Sequence, residues 1–167
     1  NVGEVAVQLI VNERNENGAF KNIYDFVQRI ALQKINKRCL ESMAMGGVFD
    51  SFPSTHRAQF LFKEKESAPS FTELLIAFGN GCKERANSSQ HSLFGEARHT
   101  EMSYPKMPDC KKWSRIEQLN KEKDVTGIYL SGHPLDDFKL EIECFCNCTL
   151  SELNMGIEKL KNREIAI

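Results

Sequence analysis

The sequence predicts a mainly α protein, and three observations carry that prediction. Apolar residues recur at helical spacing in several separate stretches. Four of these stretches open on residues suited to cap a helix, Asn22, Asn36, Ser70 and Ser114. Glycines stand where helices should stop, at Gly18 and at Gly46-Gly47. The exception is the end, Arg163-Glu164-Ile165-Ala166-Ile167, where polar and apolar residues alternate and a terminal β-strand is a candidate.

The first helix carries Val2, Ala6, Leu9 and Ile10 and ends at Gly18. Asn22 caps the second, which puts Ile23, Phe26, Val27 and Ile30 on one face, with Asp25 three residues past the cap. Asn36 caps the third, whose apolar face is Cys39, Leu40 and Met43. These helices fill a first region, residues 1–52. A second region, residues 53–78, holds a short helix within Thr55 to Phe62. It also holds one opened by the capping box Ser70-Phe71-Thr72-Glu73 and running to about Phe78. Gly79 and Gly81 should end that helix. Residues 79–112 turn polar, lack a sustained period and read as a mobile linker.

Order returns at Trp113. The capping box Ser114-Arg115-Ile116-Glu117 opens a helix bearing Ile116, Leu119, Val125, Ile128 and Tyr129, which Ser131-Gly132-His133-Pro134 breaks. Pro134 suits the first position of a further helix, with Leu135, Phe138 and Ile142 on one side. Residues 113–145 thus form a helical segment, and 146–167 a separate closing stretch.

The bulk numbers limit the function classes. With 167 residues and 41% hydrophobic content the chain supports a modest core. Its formal net charge is −1. Any nucleic-acid site must therefore be a local patch and not a whole-protein field. No apolar run reaches the length of a membrane span, and the start Asn1-Val2-Gly3-Glu4 is no signal peptide. That start, without methionine, reads as the cut end of a longer protein. Six cysteines without a secretory signal point to reduced thiols in a cytosol. The run Cys144-Phe145-Cys146-Asn147-Cys148 is spaced more tightly than usual zinc sites. It reads as a short extended segment with no bound metal.

No catalytic constellation is visible. There is no phosphate loop of Walker type and no pair of aspartates spaced for a two-metal site. His56, His91, His99 and His133 are scattered, without a nucleophile or carboxylate partner in view.

Two features remain. Lys34-Ile35-Asn36-Lys37-Arg38 stands at the start of the third helix. Helix starts present unpaired N–H groups and partial positive charge, and a phosphate docks there. Lys34, Lys37 and Arg38 would add full charges that grip a nucleic-acid backbone without reading sequence. The plain alternative is a capped, solvated helix with ordinary lysines. The second feature is Gln90-His91-Ser92-Leu93-Phe94, an apolar pair within a polar tract. Such a pair either enters a partner's pocket as a short linear motif or packs back on its own domain.

Several stretches together resemble one family, the alpha subunit of bacterial DNA polymerase III. They are Asn1-Val2-Gly3-Glu4, Gly18-Ala19-Phe20-Lys21-Asn22-Ile23-Tyr24-Asp25-Phe26, Asn36-Lys37-Arg38-Cys39-Leu40-Glu41-Ser42, Gly46-Gly47-Val48-Phe49-Asp50, and the longest, Glu122 through Asp136. They fall in the family's order across residues 1 to 140. The resemblance implies a tandem helix-hairpin-helix region over residues 1–52 that grips duplex DNA behind the active site. Val2 and Gly3 would belong to the first hairpin. Lys34, Ile35, Asn36, Lys37 and Arg38 would form the second, which lacks the glycine such hairpins favour. Gln90, Ser92, Leu93 and Phe94 resemble the family's internal motif for the sliding clamp, with His91 where Leu is preferred. Residues 146–167 would begin a truncated OB-fold.

The family's catalytic aspartates lie outside this stretch. The resemblance therefore implies no polymerase activity and no cofactor here, although the parent is a magnesium-dependent DNA polymerase. The implied partners are primer-template DNA, the clamp and the remaining polymerase III domains and replisome subunits, in the bacterial cytoplasm. The rival readings are a structural spacer between polymerase domains and a helix-hairpin-helix module of a repair protein.

Overall fold

The computed structural model describes residues 2–30, 35–89 and 103–155. The chain divides into two compact units, residues 1–130 and 131–167.

In the first unit, α1 (Glu4–Asn17) ends at Gly18, which takes a left-handed φ of 80°. The cap Asn22 accepts the Asp25 N–H and opens α2 (Ile23–Arg29). Ile23, Phe26, Val27 and Ile30 share one face, and all four are buried. Asn36 starts α3 (Lys37–Met45) in the same way. Leu40, Met43 and Ala44 carry its core face. Val48 N–H then bonds the Met43 carbonyl as the chain reverses through Gly46 and Gly47. The short α4 (Arg57–Leu61) follows.

Phe20, Phe26, Phe49, Phe60 and Phe71 form a chain of ring contacts, 5.1, 5.2, 5.1 and 6.0 Å between successive centroids. Phe26, Phe60 and Phe71 are almost completely buried. Each contributes about 1.5–3 kcal/mol by burial, and edge-on pairs add about 0.5–1.5 kcal/mol.

Helix α5 (Phe71–Ser89) opens on the predicted box: Ser70 N–H donates to Glu73 Oε2 at 2.7 Å. It does not stop at Gly79 or Gly81. Each glycine costs a helix about 1 kcal/mol relative to alanine, but Phe71, Leu75, Phe78 and Cys82 continue one stripe against the core and carry the helix across them. Residues 79–89 are thus helix and not linker. Residues 103–112 likewise form an extended strap held on the domain. Tyr24 Oη donates to the Pro105 carbonyl at 2.7 Å, Gln59 Nε2 donates to that of Pro108 at 2.9 Å, and Met107 packs on the core.

Helix α6 (Arg115–Thr126) begins at the predicted Ser114 box. It ends sooner than expected, because Gly127 adopts a left-handed φ of 85° and returns its N–H to the Lys123 carbonyl. Ile128 and Tyr129 therefore lie beyond it.

In the second unit, Pro134 sits in a turn. The first helical residues come later, a 3-10 turn at Asp136–Phe138 leading into α7 (Lys139–Phe145). Cys144 and Phe145 close that helix, so only the chain after them is extended, and α8 (Leu150–Met155) follows. Residues 163–167, the candidate strand, lie outside the described residues. Among the described residues no helix is long and apolar enough to cross a membrane.

Candidate nucleic-acid interface

The described part of the predicted phosphate site lies at the start of α3. Ile30 closes α2 and is 1% exposed; Ile35 precedes the α3 cap and is 0% exposed. These two residues anchor the chain to the core at the end of α2 and just before α3. Ile35 therefore serves as a buried anchor, and its side chain is not at the surface where a phosphate could meet it. Lys34 lies outside the described residues.

Asn36 is exposed, and its Oδ1 accepts the Cys39 N–H at 2.8 Å. The first intrahelical bond runs from Leu40 N–H to the Asn36 carbonyl at 3.1 Å. The amides of Lys37 and Arg38 precede it and have no partner within the helix. The two side chains are not equivalent. Lys37 Nζ is 3.1 Å from Glu73 Oε1 on α5 and 3.8 Å from Glu41 Oε1 one turn along α3. Glu73 holds its charge firmly. The Ser70 backbone N–H, then Lys37 and the Ser70 hydroxyl, bring its pKa down to about 2. Arg38 is exposed and makes no ion pair among the described residues. It lines an open cleft between α3 and α6 with Asn36, Glu41, Asp124 and Val125. The helix start is thus basic on the Arg38 side and partly neutralised on the Lys37 side, with Glu41 and Asp124 forming an acidic flank.

The other predicted phosphate contact is at the start of α1. Gly3 is exposed and no side chain caps the helix; a Cβ at Gly3 would meet nothing within 4 Å. Val2 packs partly against the core. Gln90, Ser92, Leu93 and Phe94 lie outside the described residues, immediately after α5. Of the histidines, His56 starts α4 and His133 lies in the second unit, while His91 and His99 are outside the described residues. Burial, reinforced by Lys112, pushes the His56 pKa down. Among the described residues no group of three or more His, Cys, Asp or Glu is placed to hold a metal ion.

Sequence reasoning missed the residues that brace this interface. Arg57 Nη1 is 2.6 Å from Glu122 Oε1 and donates to the Met45 carbonyl at 3.2 Å, while Nη2 meets Asp50 Oδ2 at 2.6 Å. Glu122 is fully buried, and its other oxygen accepts the Leu130 N–H at 2.9 Å. One clue was present: Glu122 falls three residues after Leu119, on the buried face of α6.

Comparison with known proteins agrees with this architecture. A family model described as a helix-hairpin-helix motif matches residues 1–60, which contain α1, α2 and α3. The DNA polymerase III subunit alpha of Caulobacter vibrioides is 32% identical over 137 residues, 82% of this chain and 11% of the relative. That of Thermus aquaticus is 32% identical over 163 residues, 98% of this chain and 12% of the relative. That of Borreliella burgdorferi is 34% identical over 147 residues, 87% and 12%. The chain thus spans about an eighth of the length of the curated relatives it matches. The matches cover nearly all of it, and the helix-hairpin-helix model falls on its first three helices, so the chain belongs to the DNA polymerase III alpha subunit family, as a segment that includes the helix-hairpin-helix motif.

Proposed function

We propose that this segment grips double-stranded DNA by its sugar-phosphate rails, without reading sequence, and tethers the polymerase to the sliding clamp during replication. The observation that carries the DNA reading is the start of α3. Its outward amides and the exposed Arg38 stand on a connection pinned by Ile30 and Ile35, inside the region matched as helix-hairpin-helix. A phosphate docked there meets fixed N–H dipoles and the exposed Arg38 guanidinium, which makes no ion pair among the described residues. Gly3 at the open start of α1 supplies a second backbone contact. Lys37 contributes less than its charge implies, because Glu73 and Glu41 already hold it.

The tether reading rests on Gln90, Ser92, Leu93 and Phe94. Leu93 and Phe94 would enter the clamp's apolar pocket while Gln90 hydrogen-bonds at its edge, and even a weak contact keeps the enzyme on DNA by effective concentration. The segment performs no nucleotide transfer and holds no cofactor. The magnesium-dependent chemistry belongs to the rest of the polymerase, which with the replisome subunits supplies its other partners.

Binding of the chain to a labelled duplex should fall by orders of magnitude between about 50 and 200 mM salt if several phosphates are engaged. Arg38→Ala should weaken binding equally on unrelated sequences and reduce the salt slope by about 0.9. Salt-independent binding would sink the phosphate model. For the tether, clamp capture by the wild-type chain should exceed capture by a Leu93→Ala, Phe94→Ala variant; equal recovery removes the clamp from the reading.

A further inference from the structure

We propose that Lys83 is a positioning residue for the α3 phosphate site, acting through the backbone of α2. This rests on the DNA reading above and names what holds that site in register. Helix α5 continues past Gly79 and Gly81 and brings two side chains to the last turn of α2. Lys83 Nζ donates to the Ile30 carbonyl, and Gln28 Nε2 on α2 reaches Cys82 Sγ at 3.7 Å. The carbonyls at a helix C-terminus have no intrahelical partner and carry the negative end of the macrodipole, so an ammonium there is well matched. Ile30 is also the C-cap residue, with extended backbone at ψ 141°, where the chain leaves α2 for α3. Lys83 therefore fixes the departure point of the connection, and the buried Ile35 fixes its arrival.

Two features argue that Lys83 acts indirectly and does not itself bind phosphate. Its side chain is half-buried, and burial pulls its pKa below the ordinary lysine value, with the Glu13 charge opposing that shift. Its bond to Ile30 also turns the ammonium toward the protein. Arg38 keeps an exposed side chain for the ligand, whereas Lys83 does not.

The test compares the full chain with Lys83→Met and Lys83→Arg, at a temperature well below their unfolding transitions so that only folded molecules are compared. Lys83→Met should weaken binding to a labelled duplex on the order of tenfold, because apparent affinity falls with the fraction of molecules whose α3 start is held in place. Its salt slope should stay that of the wild type, and amide exchange at Ile35 and Asn36 should quicken without DNA. Lys83→Arg should restore affinity and protection. Duplex binding by Lys83→Met equal to wild type would overturn the proposal. So would a salt slope shallower by about 0.9, which marks a direct phosphate ligand. A wild-type chain that fails to bind duplex at low salt would sink the DNA reading itself, and that control separates the two failures.

Discussion

Two arginines tie the first unit together in contrasting ways. Arg29 closes a local clamp. Its Nε meets Glu13 Oε1 at 2.9 Å, Nη1 meets Asp25 Oδ2 at 3.2 Å, and Nη2 donates to the Gly18 carbonyl at 2.9 Å. The guanidinium also lies 4.4 Å from the centre of the Phe20 ring. Every one of these partners is within 16 residues. Arg57 closes a long-range lock, since Glu122 is 65 residues away in sequence. Their settings differ as well. The Glu13 and Asp25 side chains are each 24% exposed, whereas that of Glu122 is 0% exposed. The Glu13 hydrogen bond leads the influences that raise the Arg29 pKa. At Arg57 burial is the largest influence and disfavours the charge, yet Asp50 and Glu122 together outweigh it. Water can replace a lost partner of Arg29. At Arg57 it can replace Asp50, whose side chain is 47% exposed, but not Glu122, so the second arginine carries the greater structural dependence.

The comparison breaks most visibly at Glu122. Arg57→Ala strips the fully buried Glu122 carboxylate of its arginine and should cost about 3–5 kcal/mol, read from urea unfolding, whereas Glu122→Ala leaves Arg57 paired with Asp50 and should cost less. The double replacement Arg57→Met with Glu122→Leu should cost less than Arg57→Ala, because no buried carboxylate is left without its arginine. A double variant as damaged as the sum of the singles would show the pair to be more than a satisfied internal charge. Gly47 gives the next effect. It holds a left-handed φ of 84°, and a Cβ there would lie 2.8 Å from Arg57 Cζ and 3.0 Å from Asp50 Oδ2. Gly47→Ala should cost about 1–3 kcal/mol in backbone strain and also displace the guanidinium from Asp50. Arg29→Ala should destabilise less than either change. Its effect should shrink in high salt, whereas that of Glu122→Ala should not. Equal salt sensitivity in the two variants would erase the distinction.

The same local-against-distant division separates what the sequence made legible from what it did not. Helices α2 and α3 could be placed because Asn22 and Asn36 cap them and their apolar residues sit within one or two turns. The boxes at Ser70 and Ser114 were equally local. The end of α5 was illegible because Gly79 and Gly81 are breakers when read alone, and the face that overrides them is supplied by the core. The strap at 103–112 was lost for a similar reason. Its prolines remove N–H donors but leave carbonyls, and the donors that use them, Tyr24 and Gln59, come from distant helices. At the interface, the cap Asn36 and its basic neighbours were readable. The partner that ties down Lys37 was not, since Glu73 stands on another helix.

That pairing yields the smallest expected effect and the one closest to function. Glu73 is depressed to about 2 by the Ser70 N–H and by Lys37. A carboxylate depressed on folding stabilises the native state above its unfolded pKa of roughly 4.3. That contribution fades as pH falls from there towards about 2. Glu73→Gln should therefore lower stability slightly at neutral pH, and the gap from wild type should close on acidification. Among the described residues the same change leaves Lys37 with Glu41, at 3.8 Å. If α3 grips phosphate, a freed ammonium beside Arg38 should strengthen duplex binding and steepen its salt dependence, though by less than Arg38→Ala weakens it. A variant that loses DNA affinity in step with stability would mean that Glu73 orders the α3 start more than it competes for Lys37.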